Sequence, residues 1–136
     1  MEIYSKDFTV ETSKRRQVIN ITGQVEEAVK GSGIADGMVL VFTHHTTTAL
    51  ALNEDEEGLK RDLLSLISLL YDREGYLHDR IDNNASSHLA AVFAGPSLLL
   101  PLRNGRIIRG TWQSILLLEL DGPRTRRITV QVMGRK

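Results

Sequence analysis

Apolar residues in this chain fall into two patterns. Short runs bounded by Gly, Asn or Asp turn signals predict β-strands, and stretches with apolar residues three and four apart predict helices. Residues 2–12 are rich in aromatic and β-branched types, with Tyr4, Phe8 and Val10 on one period-two face, and predict a strand. Lys14, Arg15 and Arg16 form a polar turn, from which Gln17 to Ile21 returns as the second strand of a hairpin. Thr22 is placed to cap a short helix whose stripe is Val25, Ala28 and Val29, and Gly31 and Gly33 end it. After an Asp36-Gly37 turn, the unbroken run Met38 to Phe42 predicts a central strand.

Ala49 to Leu52 is too short for either period to decide, and the flanking threonines favour a strand. The acidic run Asn53 to Glu57 then opens a helix carrying Leu59, Leu63, Leu64, Ile67 and Leu70, because acids complement the positive end of the helix dipole. That helix ends near Tyr71 or Asp72, and residues 73–83 read as a polar loop. Asn83 or Asn84 starts another helix, with Leu89, Val92 and Phe93 on one face and Gly95-Pro96 after its end. Ser97 to Leu102 and Arg106 to Arg109 form a hairpin about Asn104-Gly105. Gln113 to Leu120 is a strongly apolar strand, Asp121-Gly122-Pro123 a tight turn, and Arg126 to Met133 a last strand with Ile128, Val130 and Val132 inward. About eight strands and two or three helices, without regular β-α alternation, predict one α+β domain over residues 1–136, a largely antiparallel sheet or sandwich.

Composition narrows this only a little. With 136 residues, 41% of them hydrophobic and few aromatics, the core must be aliphatic. The absence of cysteine leaves His, Asp and Glu as the only strong metal ligands. The N-terminal stretch lacks the apolar segment of a secretory leader, and no run is long enough to span a bilayer, so a cytoplasmic protein is expected. Net charge is zero, but residues 103–136 hold eight bases and two acids. Those bases alternate with strand residues and have no aromatic platform between them. They read as a solvated face or a surface for self-assembly, not as a nucleic-acid interface.

Candidate chemistry gathers at the end of the central strand, in FTHHTTTALALN, residues 42–53. Two of the four histidines stand there side by side. Side chains alternate along an extended chain, so at most one of His44 and His45 faces a given site. If His45, His78 and His88 converged, they would offer three nitrogens with an open fourth position, the catalytic pattern for zinc-like metals. A turn at Thr46 and Thr47 would expose backbone N–H groups able to cradle a phosphate. Ser97 offers a second hydroxyl, and Arg124 and Arg126 offer planar forks for phosphate. Glu119 stands among leucines, so it must be paired with an arginine or tuned as an acid or base.

HHTTTAL with NEDEE, then Tyr76-Leu77-His78, Asn84-Ala85, His88-Leu89, Gly95-Pro96-Ser97, GTWQ and ELDGPRTRR, in that order, resemble the YjbQ-like family, also described as the secondary thiamine-phosphate synthase family. The resemblance runs over about residues 1–134. It implies a compact α+β fold assembling as a homotrimer, with a pocket near subunit interfaces. It places metal ligands at His45, His78 and His88, with zinc expected and magnesium the alternative. Thr46, Thr47, Asn84 and Ser97 fall on positions expected to bind ligand, and Glu119, Arg124 and Gln113 on positions expected to be catalytic. The implied activity joins a pyrimidine diphosphate to a thiazole phosphate and releases pyrophosphate. A non-catalytic trimer that binds a metal or small anion, and a metal-dependent hydrolase, are the alternatives. Serines in DNNASSHL and the lack of a proline after NEDEE depart from the family pattern.

Overall fold

A computed structural model describes residues 1–136. The chain runs β1 (Glu2–Glu11), β2 (Gln17–Asn20), α1 (Thr22–Ser32), β3 (Asp36–Thr43), β4 (Thr48–Asn53), α2 (Glu57–Tyr71), α3 (Ala85–Ala94), β5 (Ser97–Arg103), β6 (Arg106–Ile107), β7 (Ser114–Glu119) and β8 (Thr125–Arg135). A single 3-10 turn, Leu77–Arg80, interrupts the long loop before α3. All strand pairs are antiparallel, in a five-stranded sheet ordered β1-β8-β3-β5-β6 and a three-stranded sheet ordered β2-β7-β4.

The apolar run in β7 accounts for the layering. A strand covered on one face alternates apolar and polar residues, whereas one covered on both is apolar throughout. In β7 every residue from Ile115 to Glu119 is buried. Ile115 and Leu117 join Val39, Val41, Ile128, Val130 and Val132 of the large sheet, with α1 closing that core. Leu116 and Leu118 point the other way, onto Ile67 of α2 and Ala90 and Ala91 of α3. The small sheet is therefore the middle layer between the large sheet and the α2–α3 pair. Each buried aliphatic side chain contributes about 1.5–3 kcal/mol.

Three local expectations are corrected. β1 and β2 do not form a hairpin: β1 pairs with β8 and β2 with β7, in different sheets. Thr22 does not cap α1 with its side chain. Asn20 Oδ1 accepts from the Thr22 N–H and hydroxyl, while the Thr22 oxygen accepts from the Ile115 N–H across the layer. On α3, Val92 and Phe93 are 73% and 76% exposed, and the inward face is instead Ala85, Ser86, Ser87, Ala90 and Ala91. Small side chains let that helix lie close to β4, and Ser87 donates to the Leu120 carbonyl at 2.6 Å.

Candidate functional site

β3 ends and β4 begins at the same edge, so residues 44–47 form a tight connection between the two sheets. A hydroxyl–hydroxyl bond of 2.6 Å between Thr43 and Thr48 closes its base. The connection is clamped from behind by a buried ion pair. Glu119 is fully buried, and its carboxylate accepts from Arg126 Nε at 2.8 Å, from Arg126 Nη2, from the Thr12 hydroxyl at 2.7 Å and from the Asp121 N–H at 3.1 Å. Arg126, 3% exposed, also donates from Nη2 to the Thr47 hydroxyl at 2.9 Å. Its Nη1 donates to nothing within the chain. The N–H groups of His45, Thr46 and Thr47 likewise have no acceptor in the chain.

The residues that carry these free donors line a cavity of about 350 Å³ bordered only by polar residues. The 44–47 turn forms one wall, Arg124 and Arg126 of the β7–β8 corner another, and Asp82, Asn84 and His88 the third. Glu119 and Asp121 lie behind the arginines, outside the lining.

Two imidazoles are held in defined tautomers. His45 Nε2 accepts the Arg127 backbone N–H at 2.8 Å, so its neutral ring carries the proton on Nδ1. Burial, and then the Arg126 cation, hold the His45 pKa below its ordinary 6.5. His78 is set the other way. Asn84 is buried and donates through Nδ2 to Asp121 Oδ2 at 2.8 Å, so its Oδ1 must accept. His78 Nε2, 3.1 Å away, is then the donor, which leaves Nδ1 bare. Arg124 Nη2 completes this carboxylate–amide–imidazole chain by donating to Asp121. His88 packs edge-on against His78 with centroids 4.7 Å apart, and it borders both the polar cavity and the neighbouring cleft that holds His78.

The expected ligand set is thus only partly assembled. His78 and His88 meet, but His45 spends its lone pair on the Arg127 amide, and no three His, Asp or Glu side chains are arranged to hold a metal ion. Thr46, Thr47, Asn84 and Arg124 all border the cavity. Asn84 acts there through His78, while Asp79 Oδ1 takes over the cap of α3 by accepting from the Ala85 N–H. Glu119 is sealed from the cavity and anchors Arg126. Ser97 is an exposed residue at the start of β5, outside the lining. Gln113 precedes β7, roughly 20 Å along the strand from Glu119; its side chain accepts from the Gly110 N–H and stays in its own turn. Asp121 stands beside Glu119 in the ELDGPRTRR motif, but nothing local marks it as a relay residue, and no sequence signal marks Asp82 as a cavity residue.

Because the folded His45 is harder to protonate than the unfolded one, the unfolded state holds more protons between the two pKa values. Stability therefore falls as pH drops below 6.5, and the loss is complete below the folded value. In His45→Gln, whose amide oxygen can still accept from Arg127, this component disappears. Urea denaturation at about pH 8 and pH 5 measures it, and an equal acid loss in both proteins contradicts the assignment.

The fold and cavity define a class: single-domain α+β proteins with a histidine- and arginine-lined cavity where two antiparallel sheets meet. The chain belongs to the YjbQ-like UPF0047 family, whose model, UPF0047 protein YjbQ-like, matches residues 6–135. A UPF0047 protein of Archaeoglobus fulgidus is 48% identical over 128 residues, covering 93% of this chain and 99% of the relative. The UPF0047 protein YugU of Bacillus subtilis is 35% identical over 130 residues, covering 95% and 98%. A crystal structure of a YbjQ-like protein of unknown function from Sulfolobus solfataricus P2 superposes with a TM-score of 0.96 at 43% identity, covering 98% of this chain and 99% of that one.

Proposed function

We propose that the cavity at the 44–47 turn binds the phosphoryl group of a small phosphorylated metabolite, and that the protein acts on that metabolite as an enzyme. One observation carries the binding half: a buried arginine, fixed on two sides and with Nη1 unpartnered within the chain, is among the residues bordering a cavity without apolar lining. A guanidinium already locked in place loses little side-chain entropy when an anion arrives. The unpaired N–H groups of residues 45–47 and the Nδ1–H of His45 add donors of the same sense.

The catalytic half rests on the family resemblance, which names thiamine-phosphate formation from a pyrimidine diphosphate and a thiazole phosphate. Pyrophosphate departs in that reaction, and fixed N–H donors suit its growing negative charge. The same resemblance calls for a divalent ion, zinc or else magnesium, on His45, His78 and His88; of these only His78 and His88 stand together to offer it nitrogens. Such an ion supplies Lewis acidity toward a phosphoryl oxygen. Self-association as a homotrimer belongs to the same proposal. It is supported by the outer face of the large sheet, where Ile3, Met38, Phe42 and Leu99 stand exposed.

A thermal-shift series with inorganic phosphate, pyrophosphate and chloride tests binding. Phosphate at about a hundred times its Kd stabilises by about 2.7 kcal/mol, and Arg124→Gln, at an exposed position, weakens the effect without unfolding the protein. Incubation with the two thiamine precursors tests the reaction, and metal analysis of the purified protein tests the ion. Stabilisation by phosphate without product leaves a binding module. No stabilisation overturns the phosphate site.

A further inference from the structure

A second relay stands on the opposite rim of the cavity and uses residues that the site above leaves unassigned. Asp7 of β1, Thr129 of β8 and Phe42 of β3 are cross-strand neighbours in one row on the outer face of the large sheet. Two residues past Phe42 the chain turns, and His44 packs edge-on against the Phe42 ring with centroids 5.2 Å apart. His44 Nε2 lies 2.5 Å from the Thr129 hydroxyl, and that hydroxyl lies 2.7 Å from Asp7 Oδ1. The carboxylate can only accept, so the Thr129 proton points to Asp7, and the Thr129 oxygen must accept from His44 Nε2–H. The neutral His44 ring is thereby fixed with Nδ1 bare, opposite to His45 beside it. From the next row on the same face, Arg127 brings its Nε to 3.7 Å from Asp7 Oδ2.

We infer that His44 is the hydrogen-bond acceptor of the cavity mouth, set in that role by the positioning residues Thr129 and Asp7, and that it selects phosphorylated ligands bearing an O–H or N–H donor beside the phosphate. His44 is among the residues that line the polar cavity, whose turn and arginine walls otherwise carry N–H donors suited to the anion. A ligand that is an acceptor at one end and a donor at the other matches this arrangement. A ligand bearing the donor gains one hydrogen bond at this exposed ring that an analogue without it cannot make, a gain on the order of tenfold at most. The ligand half of this inference rests on the phosphate reading; the relay does not.

Two measurements separate them. Long-range nitrogen–proton NMR of the imidazoles, without ligand, reads the tautomer. The expected result is an Nε2–H His44 in the wild type, a mixture in Thr129→Val, and restoration in Thr129→Ser. An Nδ1–H ring, or one indifferent to Thr129→Val, overturns the relay. Titration with 2-hydroxyethyl phosphate and ethyl phosphate, equal in charge, reads selectivity. The wild type is expected to prefer the hydroxylated ester by up to about tenfold. His44→Phe, which keeps the packing on Phe42, should lose that preference while holding its affinity for ethyl phosphate. A preference that survives His44→Phe overturns the assignment of the acceptor. Failure of both esters to bind overturns the ligand half together with the phosphate reading, whatever tautomer is found.

Discussion

Glu119→Gln is expected to destabilise the protein by about 3–5 kcal/mol, the cost of leaving one member of a buried pair uncompensated. The replacement keeps the shape but removes the charge facing Arg126, and its amide N–H₂ must oppose donors from Arg126, Thr12 or Asp121. Total stabilities of such domains are about 5–15 kcal/mol, so the midpoint of urea denaturation should fall visibly, and the bond from Arg126 to Thr47 should loosen with it. Replacing both partners, Glu119→Leu with Arg126→Met, should recover part of the loss, because the stranded charge is gone. It cannot recover all of it, since the Thr12 hydroxyl and Asp121 N–H lose their acceptor. The double variant should fold yet show no phosphate response, which separates the ion pair's structural role from the donor it presents to the cavity. A Glu119→Gln protein as stable as the wild type contradicts this reading.

Gly37→Ala is expected to cost about 3 kcal/mol. A Cβ at Gly37 would stand 1.9 Å from the Met133 carbonyl oxygen, where Gly37 of β3 faces Gly134 of β8. The strands meet there too closely for any side chain, so the sheet must open or shift. Gly23→Ala supplies the contrast. Its Cβ would meet nothing within 4 Å, in the first turn of α1, and it should be neutral or stabilise by up to about 1 kcal/mol through the unfolded chain. Comparing the two melting curves separates close backbone approach from a general effect of removing glycine, and equal responses rule out the close approach.

The same glycine shows what the sequence could and could not disclose. Asp36-Gly37 has the composition of a turn, yet β3 begins at Asp36, and Gly37 serves a contact with a strand almost a hundred residues downstream. The β1–β2 hairpin failed for a similar reason. Lys14, Arg15 and Arg16 carry the chain from one sheet to the other, held by bonds from the Thr12 N–H to the Arg124 carbonyl and from the Gly122 N–H to the Arg15 carbonyl. Local turn chemistry cannot anticipate those partners. The continuous apolar runs and the strong helical stripe were legible: β3 as a central strand, β7 as an apolar strand, α2 opening at its acids, and the hairpin about Asn104-Gly105; that β7 is covered on both faces and that Glu56 caps α2 emerged only from the structure. On α3 the large apolar residues misled, because closeness to β4 selected alanine and serine for the inner face.

The site was legible as a neighbourhood more than as a mechanism. Residues from HTTTAL, from the second histidine cluster and from DGPRTRR line one cavity. Which nitrogen of each histidine stays free depends on a backbone amide at Arg127, an amide at Asn84 and a hydroxyl at Thr129; the first and last are 82 and 85 residues from the rings they orient, and even Asn84 acts on His78 across the loop and not through a regular element.

The central claim, that an anion sits against Arg126 and the 44–47 turn, is tested most directly by NMR titration of the isotope-labelled protein with inorganic phosphate. Saturable shifts are expected in the amides of His45, Thr46 and Thr47 and in the Arg126 guanidinium resonances, with none in the separate arginine-bearing groove at Arg106 and Arg109. Shifts confined to that groove, or spread over surface cations without saturation, would contradict it.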